Sequence, residues 1–194
     1  MRYADDCNVY VRSRRAGERV MTLLRQLYAG LRLRINEAKS AVDLARRRKI
    51  LGYSFWVAAE QTVKCRVADK ALVTMKDRVR LITRRSGGRS IKQVCERLGE
   101  YLRGWKEYFR LADTPRVFGN LDKWIRRRLR ALHLKHGRQQ STAYRELRAR
   151  GMSEDAANVV AVNCHRLWMN SASMMNVAFP ILYFDQLGIP RLAT

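Results

Sequence analysis

Near the start of the sequence stand four adjacent residues, Tyr3-Ala4-Asp5-Asp6, with a specific chemical content. Two consecutive carboxylates between strand-forming residues offer hard oxygen ligands on a turn, and Mg2+ takes such ligands. A pair of Mg2+ ions can activate an attacking 3′ oxygen and stabilise the leaving oxygen, as nucleotidyl transfer requires. Alone, such a tetrapeptide more often describes a solvated turn. The other candidates are cationic. Arg46-Arg47-Arg48-Lys49 precede a strand-like run, and Arg84, Arg85 and Arg89 flank a Gly87-Gly88 loop. Lys123, Arg126, Arg127 and Arg130 recur at i, i+3, i+4, i+7, which places four cations on one flank of a helix. Arginine outnumbers lysine 31 to 9. The planar guanidinium fork matches phosphate bidentately and stacks on bases, which an ammonium does not do.

The whole composition agrees with a polyanionic partner. The 194 residues hold 40 Lys+Arg against 17 Asp+Glu, a net charge of +23. Split at residues 58 and 116, the excess is +8, +8 and +7 (13 basic against 5 acidic, 15 against 7, 12 against 5), so it is not one basic tail on a neutral domain. Arg is interleaved with Trp, Tyr and Phe throughout, which favours nucleic acid over a membrane surface. At 47% hydrophobic and 29% charged, the chain is too apolar for a disordered tail. The longest apolar run, Val177 to Phe184, spans eight residues and contains Pro180, so no membrane helix is expected. No apolar leader precedes Tyr3, and a cytoplasmic location is expected. Cys7, Cys65, Cys95 and Cys164 are far apart, which argues against a zinc site or a disulfide framework. His133 and His136 read as part of a polar, basic face.

These side chains need elements to position them. Residues 2–11 read as a short hairpin with the acidic pair at its turn. Ser13 caps a helix in which Val20, Leu23, Leu24, Leu27 and Tyr28 form an apolar stripe, ended by Gly30. Leu31, Leu33 and Ile35 alternate with Arg32 and Arg34 and predict a strand. Ile50 to Val57, interrupted by Gly52, is a second strand, and Thr62 to Val67 a third. After Asp69 the pattern turns helical. Leu72, Met75, Val79 and Ile82 form one stripe. Ser90 and Gln93 form a capping box for a helix carrying Ile91, Val94, Leu98, Tyr101, Leu102, Trp105 and Phe109 on one face. Thr114-Pro115 breaks it, and the next helix buries Phe118, Leu121, Ile125, Leu129 and Leu132. Thr142 to Arg150 is a short helix ended by Gly151, and Ser153 caps another. Trp105 and Phe109 read as core, whereas Trp124 borders both the apolar and the basic face. The Met174-Met175 pair reads as packing. The fold class is α+β: a small sheet with one helix, then an all-helical remainder.

The hairpin, its helix, Leu33-Arg34-Ile35-Asn36-Glu37-Ala38-Lys39-Ser40 and Ile50-Leu51-Gly52-Tyr53 resemble the end of a reverse-transcriptase palm. Leu98-Gly99-Glu100-Tyr101-Leu102-Arg103-Gly104-Trp105-Lys106-Glu107-Tyr108-Phe109-Arg110 and the block Leu121-Asp122-Lys123-Trp124-Ile125-Arg126-Arg127-Arg128-Leu129-Arg130 resemble the thumb and maturase region of bacterial group II intron-encoded proteins. The resemblance covers nearly the whole chain. It implies a division into a palm remnant (1–58), thumb-like helices (59–116) and an RNA-binding maturase part (117–194). It implies that Asp5 and Asp6 are the metal-binding catalytic carboxylates, with Mg2+ as cofactor. Lys39 would be a basic contact after the palm helix, and Gly52 part of the loop that holds the primer strand. The partner would be group II intron RNA, or an RNA template–primer.

In that family a further catalytic Asp, the fingers and most of the palm precede Tyr-Ala-Asp-Asp. This chain is therefore expected to lack polymerase activity alone, and no His-Asn-His motif for target-DNA cleavage follows. The leading expectation is an RNA-binding maturase fragment that assists intron folding and splicing. The alternatives are a C-terminal piece of an RNA-directed DNA polymerase completed by an N-terminal reverse-transcriptase fragment, and a decayed, inactive truncation product.

Overall fold

A computed structural model describes residues 2–3, 6–60, 62–84, 88–136, 139–163, 165–171 and 174–193, with the backbone alone for Arg2, Tyr3, Asp6, His136 and Leu167. The chain forms two compact units, Met1–Arg66 and Val67–Thr194. The class is α+β, with the strands first and most of the helices after them.

In unit 1, β1 (Arg2–Tyr3) and β2 (Asp6–Cys7) pair antiparallel, with Tyr3 opposite Asp6. The ladder is shorter than the expected 2–11 hairpin. Val9, Tyr10 and Val11 lie outside it, and Tyr10 instead meets the Phe55 ring edge-on at 6.4 Å. The helix α1 (Arg14–Gly30) starts at Ser13, whose hydroxyl accepts from the Ala16 N–H at 3.2 Å. Gly17 sits where a Cβ would come within 2.6 Å of Val42 Cγ1, so the backbone of α1 approaches that segment closely. Arg25 donates through Nε and Nη2 to Glu37, both at 2.8 Å. That hydrogen bond holds the Glu37 carboxyl below its ordinary range.

The expected strand over Leu31–Ile35 does not form. The chain leaves α1 in a turn with Arg32 at φ 57°, and a left-handed residue breaks the pleat that alternation alone predicted. The sheet has the order β3-β4-β5, from Lys49–Ile50, Tyr53–Val57 and Val63–Val67. The interruption at Gly52 is a hairpin turn. Ile50 pairs with Tyr53, and both residues between them have positive φ, Leu51 at 49° and Gly52 at 78°. This is the turn whose twist matches two antiparallel strands.

Unit 2 is helical: α2 (Asp69–Ile82), α3 (Ile91–Tyr108), α4 (Pro115–His136), α5 (Gln140–Ala149), α6 (Glu154–Val162), and the short α7 (Leu167–Asn170), α8 (Met175–Ala178) and α9 (Ile181–Gln186). The Ser90–Gln93 capping box opens α3, and Ser153 caps α6. The core is the meeting of the stripes: Met75, Val79 and Ile82 of α2; Val94, Leu98, Leu102 and Trp105 of α3; Leu121, Ile125, Leu129 and Leu132 of α4. Phe179, Phe184 and Ile189 fill it from the C-terminal segment.

That segment is clasped from two sides. A Cβ on Gly99 of α3 would lie 2.5 Å from the Gly188 carbonyl oxygen, so only glycine admits this approach. Arg103 and Lys106 donate to the carbonyls of Gly188 and Arg191 at 3.1 and 2.8 Å. From α4, the Asp122 carboxylate accepts from the N–H groups of Leu192 and Ala193, each at 3.0 Å. No helix among the described residues is long and apolar enough to cross a membrane.

Candidate nucleic-acid interface

The helix α4 carries the densest run of cations, and burial divides them. Lys123 is exposed and Arg127 half-buried. Arg126 and Arg130 are 2% and 5% exposed. The expectation that all four line one open flank is therefore corrected. Arg126 donates to Asp122 on its own helix and to Asp185 of α9, each at 3.0 Å. Arg130 donates to the Phe179 carbonyl at 2.9 Å. Two cations that look solvated on a helical wheel are the polar ties of the core, and neither presents its fork to an outside phosphate. Burial, with the Arg126 charge beside it, pushes Arg130 down to about 10, which still leaves it charged at neutral pH. Burial works to raise the Asp185 carboxyl, but hydrogen bonds from Arg191 and Arg126 outweigh it and hold the group below the usual carboxylate range.

The open face of α4 is a different set. Arg116 and Lys123, seven residues apart, are exposed, with no hydrogen-bonding or ionic partner among the described residues. Arg127 lies one turn beyond Lys123. Its guanidinium stands 4.2 Å from the centre of the Trp168 ring, while Nε and Nη2 donate to the Trp168 carbonyl at 3.3 and 2.9 Å. On the adjoining side, the half-buried Trp124 has two guanidiniums at its ring, Arg80 of α2 at 5.7 Å and Arg128 at 5.4 Å. Arg128 is fixed by donating from Nε to Thr83 Oγ1 at 2.9 Å. The result is two neighbouring faces of α4: Arg116, Lys123 and Arg127 with the Trp168 indole of α7, and Trp124 with Arg128 and Arg80 of α2. Such groups can contact phosphates and stack on bases.

The remaining sequence candidates distribute as follows. Arg84 and Arg89 are exposed on either side of the α2–α3 connection, and Arg85 lies outside the described residues with Ser86 and Gly87. In unit 1, Lys39 and Arg46 are exposed, whereas Arg47 and Arg48 face Asp43 at 3.9 and 3.7 Å. Gly52 occupies the β3–β4 turn. Asp5 lies outside the described residues, as does Cys164, and Asp6 is described only through its backbone pairing. Among the described residues no three His, Cys, Asp or Glu side chains converge as metal ligands.

Arg116, Arg80, Arg128 and Trp168 were not singled out by sequence reasoning. Arg116 had a readable signal, being seven residues before Lys123 on the same helical face. Trp168 had none, because its partner is 41 residues away.

An α+β protein with a basic, indole-bearing helical surface is thus defined by geometry alone. Residues 72–151 match the group II intron maturase-specific domain, and this interval contains Arg80, Arg84, Arg89, Arg116, Lys123, Trp124, Arg127 and Arg128. The match supports a group II intron maturase. Comparison with curated proteins gives no match.

Proposed function

We propose that unit 2 binds structured group II intron RNA through the two faces of α4 and stabilises the folded intron for splicing. The observation that carries this reading is the pair Arg116 and Lys123, exposed on the helix that also carries Trp124, Arg127 and Arg128, inside the segment that matches the maturase-specific domain. In such a role the RNA supplies the reacting groups, and the protein supplies phosphate contacts and shape recognition. Unlike Arg126, these cations have no carboxylate partner among the described residues, so an RNA phosphate replaces water and counterions. The test is binding of a folded intron RNA at two salt concentrations. Affinity should fall steeply with salt, and Arg116→Gln with Lys123→Gln should lower the log–log slope by about one per lost contact. Parent affinity and slope in the double variant would remove this face of α4 from the interface.

A second reading, RNA-directed DNA polymerisation, draws on the β1–β2 hairpin, in which Tyr3 lies opposite Asp6. Its test is primer extension with Mg2+ and deoxynucleotides by this chain mixed with a reverse-transcriptase fragment bearing fingers. Extension abolished by Asp5→Asn would support this reading.

A further inference from the structure

We infer that Trp168 and Arg127 form a stacking platform for one unpaired base of the bound RNA, a deepening that rests on the RNA-binding reading above. Trp168 is 38% exposed although it is a large aromatic residue. The Arg127 guanidinium covers one face of its ring at 4.2 Å, so the open surface belongs to the rest of the indole. Hydrogen bonds to its backbone hold the residue in place. The Trp168 carbonyl accepts from Arg127 Nε, from Arg127 Nη2, and from Ser171 Oγ at 2.8 Å. The buried Asn170 donates to the carbonyls of Asn163 and Val160, which ties α7 to the end of α6. The ring is thus preorganised rather than draped over the surface, and a base that stacks on it orders little of the protein.

The other cation–ring pairs differ. Arg150 stands 4.4 Å from the Phe179 ring, but Phe179 is buried, so that pair is core. Trp56 is about as exposed as Trp168, but its cation is Lys64 at 6.0 Å, a point charge without a fork to fix the ring. Trp124 is half-buried, and its two guanidiniums stand farther off, at 5.7 and 5.4 Å. Trp168 combines an exposed indole with a guanidinium at 4.2 Å, and Lys123 stands one turn before that arginine on α4. A base on the open face completes a guanidinium–indole–base stack, and Lys123 is placed for the adjoining phosphate. A base inside a duplex is already stacked on both sides and cannot make this contact, so the ligand is single-stranded at that nucleotide.

The experiment measures fluorescence anisotropy of the full chain with a single-stranded RNA dodecamer and with a blunt RNA duplex of the same length. Trp168→Ala should weaken single-strand binding about 5- to 100-fold and duplex binding less than about twofold, with Trp168→Phe close to the parent. Circular dichroism checks the fold of each variant. As a second measurement, saturating single-stranded RNA should quench tryptophan emission less in Trp168→Phe than in the parent. Parent-like binding of both RNAs by Trp168→Ala overturns the platform and leaves the phosphate reading intact. Equal losses on both RNAs make Trp168 a structural residue and also overturn it. If the parent binds neither RNA, the RNA reading itself fails and the platform with it.

Discussion

The helices α1 and α3 carry the same kind of apolar stripe, yet the two units treat them differently. In α3 the stripe is buried at Val94, Leu98, Leu102 and Trp105. In α1, Leu23 and Leu27 are 53% and 55% exposed, and the only buried residue is Gly17. Every buried apolar side chain among the described residues lies at or beyond Val67. Unit 1 is organised by local devices instead: the Ser13 cap, the Arg25–Glu37 fork, the Leu51-Gly52 turn and the Gly17–Val42 approach. Periodicity therefore specifies that a helix forms and which face is apolar, but what packs on that face decides whether it is buried.

The largest effect that would sharpen this contrast concerns Arg126. Arg126→Gln leaves Asp122 and Asp185 short of a buried cation and should cost about 3–5 kcal/mol in urea melts. A loss under about 1 kcal/mol would mean that the buried tie is not structural. Next comes the apolar comparison. Leu98→Ala in the core of unit 2 should cost about 2–5 kcal/mol, against within about 0.5 kcal/mol for Leu27→Ala in α1. Equal losses would break the contrast between the units.

The two close-approach glycines differ less. Gly99→Ala pushes a methyl against a backbone carbonyl and should cost about 1–3 kcal/mol, whereas at Gly17 the obstacle is the side chain of Val42, and the cost should be smaller. A smaller effect still is expected in acid. Because Asp185 is held below its unfolded value, the folded state binds fewer protons as pH falls through the carboxylate range. Its contribution is then full above the unfolded pKa and fades as pH drops through the lower folded value. Urea midpoints at about pH 6 and about pH 3 should converge between parent and Asp185→Asn at the lower pH. The smallest stability change belongs to Lys123→Gln, within about 0.5 kcal/mol, even though it should weaken RNA binding.

Much of the architecture is legible in local sequence. The capping box at Ser90, the Ser13 and Ser153 caps, the break at Thr114-Pro115 and the α2 stripe all follow from neighbours within a few residues. The misreadings share one cause. Leu31–Ile35 alternates like a strand but pairs with none among the described residues, and Arg32 turns the chain instead. Arg126 and Arg130 have the spacing of a solvated flank. Their partners Asp185 and Phe179 lie 59 and 49 residues away, and helical spacing carries no information about such distances. The two faces of α4 were half visible for the same reason: Lys123 and Arg127 follow from α4 alone, whereas Trp168 and Arg80 reach them only through the tertiary fold.

The clasp between α4 and the C-terminal segment also sets an order of events in time. At synthesis rates of about 5–20 residues per second, Asp185 follows Arg126 by about 3–12 s. Throughout that interval α4 can form locally, but Arg126 has Asp122 as its only carboxylate, and Gly99 has no carbonyl to receive. Closing pairs 59 to 71 residues apart costs loop entropy before any contact repays it, so docking of the tail should be the slow, late step in completing the helical unit. A nascent chain stalled before residue 185 would then display α4 with its core arginines still open to polyanions, a transient affinity that the finished protein has folded away.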